Sequence, residues 1–366
     1  MDTTADVEPS QRVPILLLTG FLGSGKTTLL NHLAKQPAFG QALVLINEFG
    51  EIGLDHHLMT HSTEGGVVEM SSGCLCCTIQ SDLVTTLKGA PGRFGYKGDL
   101  WFDRVVIETT GLADPVPIIH TLMSEPDVAA RYRLETVVAT VDALNADVTL
   151  DEQTESVKQA AMADQLRLTK TDLADERAVL ALQARLRALI PLASITKTDR
   201  GVVDAGSPFG AEPFDVSTKS AEAQQWLAAE AISNGPHHGH EHHDVNRHDA
   251  RIKAFCLTLD EPLQRTVLNI WFNELLKLRG ADLLRVKGPV NVRGMDGPVV
   301  VHGVQHVFHP PVELDTWPDE DDRTRIVFIT RGIEDSLLRA TLEAARQSEL
   351  EQSTNASPED DVFVLI

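Results

Sequence analysis

Short apolar runs alternate with helix-like stretches along the first half of the chain. Residues 27–34 and 176–189 predict helices, the second because leucines and alanines recur there at helical spacing. The apolar runs are continuous, as expected for strands that are buried on both faces. They predict five strands, at residues 13–20, 42–47, 104–111, 136–143 and 164–172. This alternation predicts an α/β fold with a parallel, doubly wound sheet.

The alternation stops near residue 200, and a different pattern follows. Residues 201–249 are polar, and a second structured region begins at residue 251, with a helix predicted at 266–278. Its strand candidates are residues 255–260, 285–288, 299–308 and 325–332. Several strands with few helices predict a smaller α+β domain. We therefore expect a first domain at 12–205, a polar linker at 206–250, a second domain at 251–345 and an acidic tail at 346–366.

Composition and charge narrow the function classes. The 366-residue chain has an apolar fraction of 42% and a net charge of −21. This charge argues against nucleic acid as a partner, because phosphate backbones are bound through clustered lysine and arginine. No apolar run in the sequence approaches the ~20 residues that span a bilayer. Residues 1–11 are acidic and polar and do not resemble a secretory signal, so we expect a cytoplasmic protein.

The first predicted strand ends in a phosphate-binding motif. Gly20 to Thr27 reads GFLGSGKT and fits the pattern G-x-x-x-x-G-K-[ST], between a predicted strand and a predicted helix. The glycines allow backbone amides to turn toward phosphate oxygens at a helix N-terminus. We expect Lys26 to reach the β- and γ-phosphates of a nucleoside triphosphate, and Thr27 to offer its hydroxyl to Mg²⁺.

A carboxylate that holds Mg²⁺ through water is expected at the end of a neighbouring strand. Glu108 closes an apolar run and is followed by two threonines and Gly111. This E-x-x-G element predicts that the Gly111 amide contacts the γ-phosphate. Asp114 is either a second carboxylate of the same site or a turn former.

A tetrapeptide in the second half of the first domain is a candidate for base recognition. Thr169 to Asp172 reads TKTD and follows an apolar strand. The Asp172 carboxylate can accept hydrogen bonds from guanine N1–H and N2–H₂, which adenine lacks, and the Lys170 stem can cover the base. The same string recurs at residues 196–199. We favour the first copy, because it stands at a strand end with a helix after it.

Three of the four cysteines stand within four residues, at Cys74, Cys76 and Cys77. Such clustering favours metal binding over a disulfide framework. Thiolates suit Zn²⁺, Cu⁺ or Co²⁺, and three of them leave one tetrahedral position open. The alternative is that the three are small buried apolar residues. Cys256 stands in an apolar strand, and we expect it to pack in the core.

A histidine-rich run precedes the second domain. Such a tract either binds metals loosely or is a solvated linker, and the sequence leaves both interpretations open. Its histidines are His237, His238, His240, His242 and His243.

Together these elements resemble the CobW family of P-loop GTPases, which includes zinc-regulated metallochaperone GTPases and nitrile hydratase activators. The segments GFLGSGKTTLLNHL, INEFGEIGLD, GCLCC, ETTGLADP and TKTD occur in the family's order, and residues 251–334 resemble its C-terminal domain. The resemblance spans about residues 12–345. It implies a P-loop NTPase fold with a mostly parallel, doubly wound sheet, followed by a smaller α+β domain.

The resemblance also implies roles for individual residues. Glu108 would occupy the Walker B position, and it would act in catalysis with Lys26 and Thr27. The thiols of the cysteine cluster would bind Zn²⁺ or a similar ion such as Co²⁺. Glu48 would touch this metal or Mg²⁺, unless it is a plain loop carboxylate. Nucleotide contacts are implied for Gly20, Gly23, Ser24, Gly25, Lys26, Thr27, Thr28, Gly111, Lys170 and Asp172.

Two positions depart from the usual GTPase pattern. Thr169 stands where most GTPases have asparagine, which weakens the case for strict guanine selectivity. Leu112 stands where Ras-like enzymes have a glutamine that orients water. Its apolar side chain predicts slow intrinsic hydrolysis.

The resemblance implies a slow GTPase that uses GTP and Mg²⁺ to deliver a transition metal, zinc foremost, to a client metalloprotein. A homodimer is compatible with the sequence. Cobalt delivery in cobalamin synthesis or nitrile hydratase activation stays open. So do an ATP-dependent phosphotransferase with structural cysteines, and a metal buffer or sensor with a vestigial nucleotide site.

Overall fold

The structure is a computed structural model that describes most of the chain. The described residues are 12–36, 39, 41–47, 67–70, 77–96, 99–198, 252–308, 311–317 and 320–353. They form two compact units. None of the described helices is both long and apolar enough to cross a membrane.

A parallel sheet forms the centre of the first unit. The described strands of this unit are β1 (Val13–Gly20), β2 (Ala42–Asn47), β3 (Val67–Met70), β4 (Gly95–Tyr96), β5 (Asp99–Leu100), β6 (Arg104–Glu108), β7 (Tyr132–Asp142), β8 (Gln165–Thr169) and β9 (Ser194–Lys197). The sheet has the strand order β3-β2-β6-β1-β7-β8-β9, and every neighbouring pair is parallel. Strands β4 and β5 pair separately as an antiparallel hairpin. The carboxyl ends of the sheet strands therefore share one edge, where open α/β sheets bind their ligands.

Helices pack on this sheet through the apolar residues that the strands present. The described helices are α1 (Lys26–Ala34), α2 (Cys77–Arg93), α3 (Val116–Ser124), α4 (Pro126–Ala129), α5 (Ala146–Glu152), α6 (Thr154–Ala161) and α7 (Glu176–Leu189). In α1, Leu29, Leu30 and Leu33 belong to one core cluster with Leu16 and Leu18 of β1. The alternate residues of β1 are also fully buried, so both faces of the central strand are covered.

The second unit combines an antiparallel sheet with two long helices. Its elements are β10 (Ile252–Leu259), α8 (Arg265–Arg279), β11 (Leu283–Val290), β12 (Val299–Val304), β13 (Val307–Phe308), β14 (Val312–Glu313), β15 (Thr324–Arg331) and α9 (Asp335–Ser353). The strand order is β10-β15-β11-β12-β13, and β14 also pairs with β12. Trp271 of α8 packs against Phe328 of β15 and donates its indole N–H to the Thr341 hydroxyl of α9 at 3.0 Å. The two helices and the sheet thus share one core.

The predicted fold class is confirmed, since a parallel α/β unit is followed by an α+β unit. Two predicted strands end three residues early: the run at 104–111 stops at Glu108, and the run at 164–172 stops at Thr169. The second one stops because Lys170 has a φ of 55°, which belongs to the left-handed region and ends an extended strand. Helix α9 continues to Ser353, so it includes residues that composition assigns to the acidic tail.

Candidate nucleotide site

The segment between β1 and α1 is the P-loop, and its backbone is shaped by glycines. Gly25 caps the N-terminus of α1 with a φ of 94°, a conformation that glycine adopts without steric cost. The Leu29 amide donates to the Gly25 carbonyl at 3.0 Å, so α1 begins directly after the loop. The first amides of a helix are therefore directed at the carboxyl edge of the sheet, as phosphate binding requires.

Lys26 is the first residue of α1 and lies folded over the P-loop. Its side chain is buried, and its ammonium group donates to the carbonyl of Gly20 at 2.9 Å and to that of Phe21 at 3.2 Å. These two bonds hold the positive charge above the loop. Gly23 lies in the same loop, and Thr28 is exposed in the first turn of α1.

Thr27 and Glu108 meet at the same edge of the sheet. The Thr27 hydroxyl donates to Glu108 Oε1 at 2.9 Å. Glu108 is buried at the end of β6, in register with Leu18 of the neighbouring strand β1. A hydroxyl and a carboxylate at this distance form an all-oxygen donor set, which fits Mg²⁺. These residues would hold the ion beside the phosphates, where it would neutralise developing charge.

The end of β8 anchors the P-loop from the other side. The Thr169 hydroxyl donates to the Ser24 carbonyl at 2.7 Å, and the Ser24 hydroxyl is 2.6 Å from the Thr140 hydroxyl of β7. All three side chains are buried. A threonine therefore supports the P-loop at the position where the usual motif has asparagine. The sequence did not indicate Thr140, because a threonine within a β-strand is a common strand former.

Lys170 is held at the edge of the sheet by an acidic partner. Its ammonium group donates to Asp142 Oδ2 at 2.7 Å, and the same oxygen accepts a bond from Asn145 Nδ2 at 2.9 Å. Burial raises the pKa of Asp142, but the hydrogen bonds from Lys170, Asn145 and the Leu144 amide outweigh it and hold the pKa below its ordinary value of 3.8. Sequence reasoning missed Asp142, whose only signal is a carboxylate at the end of a predicted strand.

The two copies of TKTD lie in different surroundings. In the first copy, Thr169 contacts the P-loop, and Asp172 is exposed in the turn that follows β8. In the second copy, Thr198 is fully buried and both its amide and its hydroxyl donate to the Leu168 carbonyl. Asp199 lies outside the described residues. The first copy therefore contacts the P-loop, whereas the second copy begins in β9, the outermost strand on that side of the sheet.

Residues 109–114, named the Gly111 loop below, lie between the P-loop and helix α6. A Cβ added to Gly111 would stand 2.6 Å from the backbone nitrogen of Leu22, so only glycine allows this approach. On α6, Gln159 Nε2 donates to the carbonyls of Gly111 and Ala113. Asp114 accepts from the Val116 amide at the start of α3 and pairs with Lys158 at 2.9 Å, which favours the turn-forming role for this carboxylate.

Most of the predicted metal ligands lie outside the described residues. These are Glu48, Cys74, Cys76, His237, His238, His240, His242 and His243. Cys77 is the first residue of α2, and β3 ends at Met70 on the same edge of the sheet as Glu108. Within the described parts of the chain, no group of three or more His, Cys, Asp or Glu side chains is arranged to hold a metal ion. Cys256 is buried in β10, as expected for core packing.

Comparison with known proteins gives consistent matches over both units. Residues 14–197 match the CobW/HypB/UreG nucleotide-binding domain, and residues 252–346 match the C-terminal domain of the cobalamin synthesis protein cobW. The zinc chaperone YjiA of Escherichia coli K12 is 32% identical over 337 residues, which cover 92% of this chain and 99% of the relative. The zinc chaperone CobW of Pseudomonas aeruginosa is 28% identical over 365 residues, with 91% and 92% covered. The crystal structure of Zn(II)-bound YjiA GTPase from E. coli superposes with a TM-score of 0.65 at 27% identity, and covers 92% of this chain and 99% of that one.

Proposed function

Because the chain belongs to the CobW family of nucleotide-binding proteins, we propose that it is a GTPase that delivers a transition metal to a client metalloprotein. The observation that supports this most directly is the P-loop with its bonded Thr27–Glu108 pair at the carboxyl edge of a parallel sheet. The relatives that it matches over nearly their whole length are named zinc chaperones, so zinc is the first candidate for the cargo.

The phosphate half of the proposed site uses the P-loop and the two strands beside it. The amides between Gly20 and Thr28, including those of Gly23, Ser24 and Gly25, surround the phosphates, and Lys26 exchanges its carbonyl partners for phosphate oxygens. Thr27 and Glu108 would hold Mg²⁺, which when bound would supply charge neutralisation at the phosphates.

The base half uses the turn after β8. The Lys170 stem covers one face of the base, and the Asp172 carboxylate accepts bonds from guanine N1–H and N2–H₂. Asp142 keeps the Lys170 ammonium at the sheet edge through the 2.7 Å ion pair. Base reading therefore depends on two carboxylates with different tasks: one positions the lysine, and the other reads the guanine.

We also propose slow intrinsic turnover. Leu112 follows Gly111 and is half exposed, with 50% of its surface accessible. An apolar side chain cannot orient a water molecule for attack on the γ-phosphate. A bound metal or client that supplies a polar group at this place would accelerate hydrolysis, and metal loading would then control the cycle.

The metal half of the proposal rests on the cysteine cluster. Cys74, Cys76 and Cys77 supply thiolates that suit Zn²⁺ or Co²⁺ as cargo, and Glu48 and the histidine run are additional candidate ligands. The chain reaches this cluster directly after β3, which ends on the nucleotide-binding edge, and it enters α2 at Cys77. Nucleotide and metal are thus bound by segments that leave the same edge of one sheet.

The proposal is tested by titrating the whole protein with Co²⁺ and following thiolate-to-metal absorption, with and without GTP and Mg²⁺. We expect GTP to change the Co²⁺ affinity by at least about threefold, and the absorption to vanish when all three cysteines are replaced by alanine. Lys26→Ala should remove the nucleotide effect and lower kcat/KM for GTP by at least about 100-fold. Lys35→Ala, at an exposed lysine just after α1, is the matched control and should behave as the wild type.

Three results would contradict this function. A Co²⁺ affinity that does not change when nucleotide is added would favour a metal buffer. A preference for ATP over GTP in a competition assay would favour a phosphotransferase. A Co²⁺ spectrum that persists without the three cysteines would remove them as cargo ligands. Repeating the GTP turnover assay with Zn²⁺, Co²⁺, Fe²⁺ and Ni²⁺ separates zinc delivery from cobalt delivery.

A further inference from the structure

We propose that Gln159 of α6 is a positioning residue for the terminal phosphate of the nucleotide, because it holds the Gly111 loop against the P-loop. This inference rests on the proposed nucleotide function and deepens it. Gln159 stands about fifty residues after the loop in sequence, and no phosphate-binding motif includes it.

The Gln159 side chain is an internal clamp on the loop backbone. It is 1% exposed, and its Nε2 donates to the Gly111 carbonyl at 3.1 Å and to the Ala113 carbonyl at 3.0 Å. One amide group thus satisfies two carbonyls of a short loop that has no regular secondary structure of its own. Because both donors leave the same nitrogen, the two carbonyls must point to the same place.

The P-loop limits the Gly111 loop from the opposite side. The Cα of Gly111 lies so close to Leu22 that a Cβ would stand 2.6 Å from the Leu22 nitrogen and 2.7 Å from its Cα. The Thr109 hydroxyl adds a further tie to the end of β1, since it donates to the Thr19 hydroxyl at 2.9 Å. Gly111 is therefore fixed between the P-loop and α6, one residue from Thr110 and three from Glu108.

The amide oxygen of Gln159 shows that packing alone does not explain a glutamine at this position. Gln159 Oε1 is buried and accepts no hydrogen bond from the described residues. A buried acceptor without a donor is destabilising, and an apolar side chain of similar size would avoid this cost. The benefit of the amide lies on its donor side, in the fixed position of the Gly111 and Ala113 carbonyls.

A fixed Gly111 loop matters for a triphosphate and not for a diphosphate. In the proposed function the Gly111 amide bonds to the γ-phosphate, and a donor that is already in place loses little conformational entropy on binding. Without Gln159 the Gly111 and Ala113 carbonyls lose their bonds to α6, which then holds the loop only at its end, through the Lys158–Asp114 ion pair. The triphosphate must then order the loop around Gly111. Diphosphate binding uses the P-loop and Lys26, whereas the hydrogen bonds that Gln159 donates to the described residues go to the Gly111 loop.

The test compares two affinities in the full-length protein, for GDP and for a non-hydrolysable GTP analogue with Mg²⁺. In Gln159→Met, which keeps the length and removes the donor, we expect the analogue to bind about tenfold more weakly, as for the loss of one to two hydrogen bonds. GDP affinity should change by less than about twofold, and kcat/KM for GTP should fall with the analogue affinity. A purely structural role would lower both affinities together.

Two control variants accompany this test. Gln153→Met makes the same replacement at the N-terminal boundary of α6 and should leave both affinities unchanged. Lys158→Met removes only the partly exposed ion pair with Asp114, and it should change the ratio of the two affinities by less than about twofold. If Gln159→Met does not fold, Gln159→Asn keeps the amide one methylene farther from the carbonyls, and an intermediate loss of analogue affinity is expected.

An equal loss of GDP and analogue, an unchanged ratio of their affinities, or tighter analogue binding would overturn the role of Gln159. If Asp172 does not read guanine, the result is distinguishable, because the wild-type protein would then prefer ATP to GTP. In that case the same ratio is measured with ADP and an ATP analogue. The inference about Gln159 concerns the number of phosphates and stands or falls on that ratio, whichever base is bound.

Discussion

The hydroxyl of Thr169 supports the P-loop at the position where the usual GTPase motif has asparagine. It lies 2.7 Å from the Ser24 carbonyl, so it supports the P-loop from the end of β8. Thr169 was a reason to question guanine selectivity. The structure gives the residue a second role that does not involve the base.

Replacing Thr169 by valine should therefore weaken the binding of every nucleotide. Valine has the same shape and lacks the donor, and a neutral hydrogen bond contributes about 0.5–1.5 kcal/mol. We expect GTP and GDP affinities to fall by about three- to tenfold with an unchanged ratio between them, measured by fluorescent nucleotide titration. Thr171→Val is the control and should bind as the wild type; an effect on GTP alone would contradict a supporting role for Thr169.

Asp142 predicts a dependence of stability on pH. Its pKa in the folded protein lies below 3.8, so it stabilises the fold at pH values above its unfolded pKa, and this contribution is lost as the pH falls through the lower, folded value. The difference in Tm between the wild type and Asp142→Asn should therefore be largest near pH 6 and shrink toward about pH 3. Asp296→Asn, at an exposed site, is the matched control and should leave the Tm near pH 6 unchanged. A difference that stays constant with pH would exclude the ion pair with Lys170 as its source.

The apolar pattern predicted the bounds of helices and strands that depend on burial. It missed the bounds that depend on tertiary contacts. The bounds of β1, β2 and α7 agree with their predicted ranges, because continuous apolar runs and helical spacing are local signals. Strand β3 was missed, since four residues are too few to establish a period. The early end of β8 coincides with the left-handed Lys170, whose side chain is bonded to Asp142 of the neighbouring strand β7.

The same distinction applies to the candidate site. Lys26 and Thr27 were predicted because a motif fixes their spacing, and Glu108 was predicted because it ends an apolar run beside the motif's strand. Gln159 and Asp142 could not be predicted, because their roles come from elements that meet only in the folded chain. A glutamine on an amphipathic helix gives no sign that its side chain points inward.

The packing of helix α9 in the core of the second unit can be tested by substitution. Leu338 is fully buried in the core that contains Trp271, whereas its neighbour Leu337 is 37% exposed. Leu338→Ala should lower the free energy of unfolding by about 2–5 kcal/mol, because it leaves a cavity. Leu337→Ala should change it by less than about 0.5 kcal/mol. Denaturant unfolding followed by tryptophan fluorescence measures both, and equal effects would contradict the packing of α9 on the sheet.

The net charge of the whole chain is strongly negative. The net charge of −21 disfavours anionic polymers and does not prevent nucleotide binding, since the P-loop is a local concentration of amides with one buried lysine. The same charge attracts cations in general. Selectivity for a transition metal must therefore come from the ligands, and the thiolates of the cysteine cluster are the ligands that we propose for it.

The strand order of the first unit has a consequence for its synthesis. The first of the described strands in sequence, β1, is the central strand of the sheet, and its two neighbours are encoded far downstream, at Arg104–Glu108 and Tyr132–Asp142. Until those segments emerge, a nascent chain exposes a mostly apolar strand with both edges unpaired, which is a template for aggregation. The segment that starts the nucleotide site is thus also the one that needs protection for longest, and cotranslational folding of this unit cannot begin at its own N-terminus.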